Sequence, residues 1–121
     1  MAKILIVEDD EQLRDMLTQM FEREGFGVVG SSNGEEAMRL IRRSPVDLLI
    51  TDIIMPQKDG TGLILEVRRD FPNLKIIAIS GGARHIDPQN PLQIAKSLGA
   101  NLTFTKPFKL TDLLGAAREL V

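Results

Sequence analysis

The chain has 121 residues, the length of about one domain, so we expect a single domain over residues 1–121. Its 43% hydrophobic and 26% charged residues are typical of globular proteins and exclude a disordered or fibrous chain. The net charge of −2 offers no general attraction for nucleic acid or for an anionic membrane. The lack of cysteine excludes disulfides, thiolate metal sites and thiol nucleophiles, and the apolar run at residues 2–7 fits neither a membrane span nor a signal peptide. We therefore expect a cytoplasmic protein that binds neither DNA nor membrane through this domain.

Five short aliphatic or β-branched segments alternate along the chain with segments of helical periodicity. The predicted strands are Lys3–Val7, Gly27–Gly30, Asp47–Ile50, Lys75–Ile79 and Leu102–Thr105. The first predicted helix carries an apolar stripe and ends near Gly25. In the second, we expect Asn33 to be the cap, with Glu36 three residues on, and Pro45 to end the helix.

The remaining three helices follow the later strands. The third is predicted after an Asp59–Gly60 turn, the fourth from near Pro91 to the residue before Gly99, and the fifth after the last strand. The first, third and fourth strands are almost unbroken apolar runs, as expected when helices cover both faces of a parallel sheet. The pattern therefore predicts an α/β fold, a doubly wound (βα)5 sandwich. In such folds ligands bind beyond the carboxyl ends of the strands.

Polar side chains stand at four of these predicted strand ends. They are Glu8, Asp9 and Asp10 after the first strand, Asp52 after the third, Ser80 after the fourth and Lys106 after the fifth. Carboxylates this close repel one another unless a cation neutralises them, and several hard oxygen ligands suit Mg2+, with Mn2+ as a substitute. Such a pocket suits phosphoryl chemistry, with Asp52 as nucleophile, Lys106 as counter-charge and Ser80 as hydrogen-bond donor.

The same residues carry a family resemblance over nearly the whole chain. The chain resembles the receiver domain of two-component response regulators in residues 4–10 (ILIVEDD), 52–56 (DIIMP), 59–60 (DG), 79–80 (IS) and 106–108 (KPF). The resemblance implies a flavodoxin-like parallel sheet of order 2-1-3-4-5. It also implies a signalling domain, not an enzyme in the usual sense, that receives a phosphoryl group from a sensor histidine kinase or a histidine phosphotransfer protein. The downstream protein target is not indicated.

By this resemblance, Asp52 is the phosphoacceptor. Asp9 would bind the metal ion directly, Glu8 would bind it through water, and the backbone carbonyl of Ile54 would complete the protein ligands. Asp10 is then expected to cap the first helix. The Lys106–Pro107 bond resembles a cis peptide of the family.

The chain departs from the family three residues before Lys106, where an aromatic switch residue is usual and Thr103 stands instead. Phe104 cannot substitute, because adjacent strand residues face opposite sides of the sheet. The stretch from Ser80 to Gly99 is also longer than expected. We predict a mobile loop there whose ordering replaces the aromatic rotation as the output signal.

Three other functions are compatible with a fold of this kind. A flavoprotein of similar topology would need a phosphate-binding loop after the first strand and aromatic side chains to stack on the flavin, and the chain has no Trp or Tyr. A hydrolase with an aspartyl-phosphate intermediate would need a second acid two residues after Asp52, where Ile54 stands. A receiver fold kept only for protein interaction, without phosphorylation-dependent output, is the main alternative. His85 lacks a second histidine or any cysteine and is expected to be a loop residue.

Overall fold

The computed structural model describes residues 2–53, 60–81, 96 and 99–121. Within them, five strands and four helices alternate along the chain. The strands are β1 (Lys3–Val7), β2 (Gly27–Ser31), β3 (Leu48–Asp52), β4 (Lys75–Gly81) and β5 (Leu102–Lys106). The helices are α1 (Glu11–Arg23), α2 (Gly34–Arg43), α3 (Gly60–Asp70) and α4 (Leu110–Leu120). The fourth helix predicted from the sequence lies outside the described residues, apart from Lys96, which is helical.

All five strands are parallel and form one sheet in the order β2-β1-β3-β4-β5. This confirms the predicted doubly wound fold and its strand order. β1 has the predicted bounds, whereas the other four strands end one or two residues later than predicted, and β3 also starts after Asp47 and continues to Asp52. The reason is the neighbouring strand: Asp52 still pairs with Ile79 of β4, and that partner is not visible in the sequence of β3 alone.

Alternate residues of the central strands supply two separate cores, one on each face of the sheet. On one face, strand residues pack against α1 and α4, and this core includes Ile4, Ile6, Leu17, Phe21, Leu48, Ile50, Ile77, Ile79, Leu113 and Ala117. On the other face they pack against α2 and α3, and this core includes Leu5, Val7, Ala37, Ile41, Leu49, Leu63, Ile64, Val67, Ile76 and Ala78. Burial on both faces explains the unbroken apolar runs of β1 and β3.

Both expected helix caps are present. The Asp10 carboxylate accepts hydrogen bonds from the N–H groups of Gln12 and Leu13, and the Asn33 side chain accepts one from the N–H of Glu36. Each cap satisfies backbone donors that have no partner inside the helix. No helix in residues 2–53, 60–81 or 99–121 is long and apolar enough to cross a membrane.

Arg68, near the end of α3, connects two backbone segments at the amino ends of the strands, the loop between α3 and β4 and the turn before β5. Its guanidinium donates to the carbonyl oxygens of Pro72, Leu74 and Gly99 at 2.7–2.8 Å. Gly99 has a φ of +122°, and a Cβ added there would lie 2.7 Å from Nε of Arg68. The anchored guanidinium cannot move aside without losing these bonds, so we infer that only glycine fits at this position.

We predict opposite effects for two glycine substitutions. Gly99→Ala should lower the free energy of unfolding by about 1–3 kcal/mol, because alanine is strained at this φ and collides with Arg68. Gly115→Ala is the control: it lies on the exposed side of α4, and its added Cβ would meet nothing within 4 Å in the described part of the chain. Alanine there should raise the free energy of unfolding by about 0.5–1 kcal/mol. Urea unfolding followed by circular dichroism measures both, and a shift in the same direction for the two variants would contradict this account.

Candidate functional site

Asp52 is the last residue of the central strand β3, and its side chain is only 8% exposed. Two neighbouring contacts fix its backbone. The hydroxyl of Thr51 donates to the carbonyl oxygen of Asp52 at 2.8 Å, and the N–H of Ile53 donates to the carbonyl of Ile79 on β4 at 2.9 Å. The carboxylate is therefore held at the carboxyl edge of the sheet, where the prediction placed it.

Glu8 and Asp9 lie in the turn between β1 and α1. The N–H of Glu8 donates to the carbonyl of Ser31 at 3.0 Å, which continues the pairing of β1 with β2 by one residue. One carboxylate oxygen of Glu8 accepts the N–H of Asp10 at 3.1 Å. Glu8 is buried, whereas Asp9 is exposed to solvent. The turn therefore points one carboxylate inward and leaves the next at the rim.

Lys106, the last residue of β5, connects two of these acids. Its Nζ donates to Oε1 of Glu8 at 2.8 Å and to Oδ2 of Asp52 at 3.0 Å. Lys106 is predicted to be the counter-charge of the pocket, and the carboxylates that it contacts are those of Glu8 and Asp52. The following Lys106–Pro107 peptide bond is cis, the geometry that the resemblance implies.

The carboxylates of Glu8, Asp9 and Asp52 converge, with one oxygen of each within 4.8 Å of the others. Burial raises the pKa of Glu8 to about 7, although the hydrogen bond from Lys106 acts in the opposite direction. Burial by itself would lower the pKa of Lys106, but its hydrogen bonds to Glu8 and Asp52 raise it. The pocket thus holds more negative charge than one ammonium group neutralises.

Ser80 is the next-to-last residue of β4 and is 2% exposed. Its hydroxyl has no hydrogen-bond partner among the described residues. A buried hydroxyl without a partner costs about 1–3 kcal/mol, so its presence requires an explanation. Ser80 pairs with Thr105, the neighbour of Lys106. This pairing places the Ser80 hydroxyl at the carboxyl edge of the sheet, where Asp52 and Lys106 also lie.

Thr103 lies in the middle of β5, half-buried, opposite Ala78 of β4. Its neighbours Leu102 and Phe104 both pack into the core under α1 and α4. Because side chains alternate along a strand, Thr103 belongs to the other face of the sheet. Phe104 thus lies on the wrong side to replace the aromatic residue of the family, as the sequence predicted.

Several predicted features lie outside the described residues: the carbonyl of Ile54, the Asp59 half of the Asp59–Gly60 turn, His85, and most of the stretch between Ser80 and Gly99. One contact was missed by the sequence analysis. Nη1 of Arg14, in the first turns of α1, donates to the carbonyl oxygen of Glu8 at 2.7 Å. The only available signal was the helical position of Arg14, close after the acidic turn, which does not by itself specify this bond.

Comparison with known proteins agrees with this arrangement. Residues 4–118 match the family described as the response regulator receiver domain. The chain is 34% identical to the response regulator receiver protein CpdR of Brucella abortus, covering all of this chain and 98% of CpdR. It is 33% identical to the transcriptional regulatory protein CpxR of Klebsiella pneumoniae, of which it spans only 50%.

A solved structure gives the same result for the fold. Response regulator protein TrrA of Thermotoga maritima, solved in complex with Mg2+ and BeF, superposes with a TM-score of 0.86 at 26% identity, with all of both chains covered. The family match extends over almost the entire chain. The chain therefore belongs to the response regulator receiver domain family, the signalling domains of two-component systems.

Proposed function

We propose that Asp52 accepts a phosphoryl group from a phosphohistidine of a partner protein in a Mg2+-dependent reaction, and that this switches a protein-interaction surface. The observation that carries the proposal is the convergence of the Glu8, Asp9 and Asp52 carboxylates within 4.8 Å. An acidic cluster alone does not define a site. Here Ser80 adds an independent observation, because its buried hydroxyl lacks an acceptor among the described residues, and a phosphoryl oxygen would supply one.

The residues present fit a magnesium ion. Mg2+ prefers hard oxygen ligands and usually binds one or two carboxylates together with a phosphate. Glu8, Asp9 and Asp52 would hold the ion, with the backbone carbonyl of Ile54 added by family resemblance, and Mn2+ could substitute. The raised pKa of Glu8 reflects a burial cost that a nearby cation would offset. When bound, the ion would neutralise negative charge on the phosphoryl oxygens.

The side chains of the chain have distinct roles in this proposal. A carboxylate oxygen of Asp52 attacks the phosphorus atom, and the P–N bond to the partner's histidine breaks as the new O–P bond forms. Lys106, which already contacts Asp52 at 3.0 Å, places its ammonium where a phosphoryl oxygen would be bound. Ser80, whose hydroxyl has no partner among the described residues, donates to another of those oxygens. The product is an acyl phosphate that water can later hydrolyse, so the domain acts as a timed switch.

The proposed partners follow from the same chemistry. A sensor histidine kinase or a histidine phosphotransfer protein supplies the phosphoryl group, and a downstream protein of unknown identity reads the modified surface. The relative CpxR is a transcriptional regulatory protein of about twice the length of this chain. The residues matched here thus correspond to the receiver part of such a protein. Catalysis by this domain is limited to its own phosphorylation and dephosphorylation.

Phosphoryl transfer to Asp52 can be measured without a partner. We expect incubation with acetyl phosphate and Mg2+ to add the mass of one phosphoryl group to the wild type and none to Asp52→Asn, as read by intact mass spectrometry. Asp112→Asn, which changes an exposed acid in the first turn of α4, is the matched control and should be modified like the wild type. Modification of Asp52→Asn to the wild-type extent would assign the reaction to another residue. A wild type that binds Mg2+ but is never modified, even by a kinase, would favour the interaction-module alternative.

Metal binding should appear as thermal stabilisation. At a Mg2+ concentration ten times the dissociation constant, we expect the free energy of unfolding to rise by about 1.4 kcal/mol, because the ion binds the folded state. Asp9→Asn should reduce this gain, while Asp15→Asn, an exposed acid on α1, should leave it unchanged. Melting curves with EDTA and with Mg2+ make the comparison. Equal responses of the two variants would indicate general charge screening and not a site.

The substitution Ser80→Ala should have different effects on the rate of phosphorylation and on the free energy of unfolding. Removal of a buried hydroxyl that has no partner in the described part of the chain should leave the free energy of unfolding of the metal-free protein unchanged or raise it by about 1–3 kcal/mol. The same change should slow modification by acetyl phosphate about 100-fold, because a donor to the developing charge is lost. Ser80→Thr keeps the hydroxyl and is the conservative control. Modification of Ser80→Ala at the wild-type rate would exclude Ser80 from the reaction.

A further inference from the structure

Arg14 contacts the acidic turn at two points. Its backbone N–H donates to the carbonyl of Asp10 at 2.9 Å, the first hydrogen bond of α1, and its Nη1 donates to the carbonyl of Glu8 at 2.7 Å. The carbonyl of Glu8 belongs to the peptide group that joins Glu8 to Asp9. Its orientation therefore determines the directions in which both carboxylate-bearing residues leave the backbone.

The other hydrogen bonds of the turn, among the residues that the structure describes, are made by the peptide groups on either side of this one. The N–H of Glu8 is held by Ser31 on β2, and the N–H of Asp10 is held by the Glu8 side chain. One bond lies on each side of the Glu8–Asp9 peptide, and the bond from Arg14 is the one described for the carbonyl of that peptide. A charged donor at 2.7 Å is a strong hydrogen bond and suits this function.

Gly30 provides the space through which Arg14 reaches the turn. A Cβ added to Gly30 would lie 3.3 Å from Cδ, 3.6 Å from Cγ and 3.7 Å from Nε of Arg14. The aliphatic part of Arg14 therefore passes directly over β2 at this residue. Glycine weakens a strand, and its presence within one often marks the close approach of another group. Here that group is the side chain of Arg14.

We infer that Arg14 is a positioning residue for the cation site: seated over Gly30, it holds the Glu8–Asp9 peptide so that both carboxylates face Asp52. The inference rests on the proposed function, since it concerns the affinity of the same pocket for Mg2+. Arg14 does not contact the ion in this account. Its effect is transmitted through the carbonyl of Glu8, in the way that outer hydrogen-bond partners orient metal ligands.

Two different substitutions should each remove the hydrogen bond from Arg14 to the carbonyl of Glu8. Arg14→Met removes the donor and keeps an unbranched side chain over Gly30, whereas Gly30→Val keeps Arg14 and displaces it. Each should weaken Mg2+ binding by at least about tenfold, measured by calorimetric titration. Valine is favoured in strands, so Gly30→Val should lose affinity with no loss of melting temperature in EDTA. Arg14→Lys should recover part of the affinity, because lysine can still donate to the carbonyl.

Arg23→Met is the matched control for Arg14→Met. It makes the same change of charge and side chain on the same helix, at an exposed residue at the opposite end of α1. It should bind Mg2+ like the wild type. Amide hydrogen exchange of residues 8–10 in the metal-free protein gives a second readout, and it should be faster in Arg14→Met and unchanged in Arg23→Met.

The outcomes separate this inference from the proposed function. If the wild type binds Mg2+ and Arg14→Met binds it equally well, Arg14 has no positioning role and the inference is wrong. Equal losses in Arg14→Met and Arg23→Met would also refute it, because net charge would then explain the effect. A wild type that does not bind Mg2+ would instead refute the metal-dependent function, and the inference would fall with it.

Discussion

The site depends on two buried carboxylates that share one ammonium group. Glu8 directly follows β1 and Asp52 ends the neighbouring strand β3, and each would be costly to bury as an isolated charge. Lys106 offsets that cost by contacting both, at 2.8 and 3.0 Å. The strand order places β1 beside β3 and leaves β5 two strands away from β3, so the cation must come from a long, flexible side chain. Lysine at the end of β5 meets this requirement and keeps 28% of its side chain exposed.

The charges and hydrogen-bonding groups of the same pocket are not fully paired within the described residues, and this suits the pocket to a ligand. Among the described residues, the cluster has three carboxylates and one ammonium group, which contacts two of them. The pKa of Glu8 is raised to about 7, and the hydroxyl of Ser80 lacks a described partner. Each of these features costs folding free energy and would be selected against in a purely structural site. A cation and a phosphoryl group together would relieve all of them. These unfavourable electrostatic and hydrogen-bonding features therefore support the proposed chemistry.

Much of this could be predicted from the sequence because it depends on periodicity and chain order. Apolar runs identified the strands, and the convergence of parallel strand ends brought Glu8, Asp52 and Lys106 to one edge. The caps at Asp10 and Asn33 follow from local chemistry in the same way. The unpredicted features depend on partners distant in sequence or on rotamers. The extension of β3 to Asp52 depends on its pairing with β4, and the path of Arg14 over Gly30 depends on the rotamer of Arg14.

Thr103 limits how a signal can leave the site. Its side chain lies on the α2 and α3 face and is too small for an aromatic rotation, while Phe104 is committed to the opposite core beside Phe108. Ser80 and Lys106, to which the proposed function assigns contacts with phosphoryl oxygens, lie at the same end of the β4–β5 pair, where Ser80 is opposite Thr105 and Gly81 is opposite Lys106. Backbone pairing thus couples them directly. We therefore propose that a shift of this strand end transmits a change in the pocket to the outer edge of the sheet.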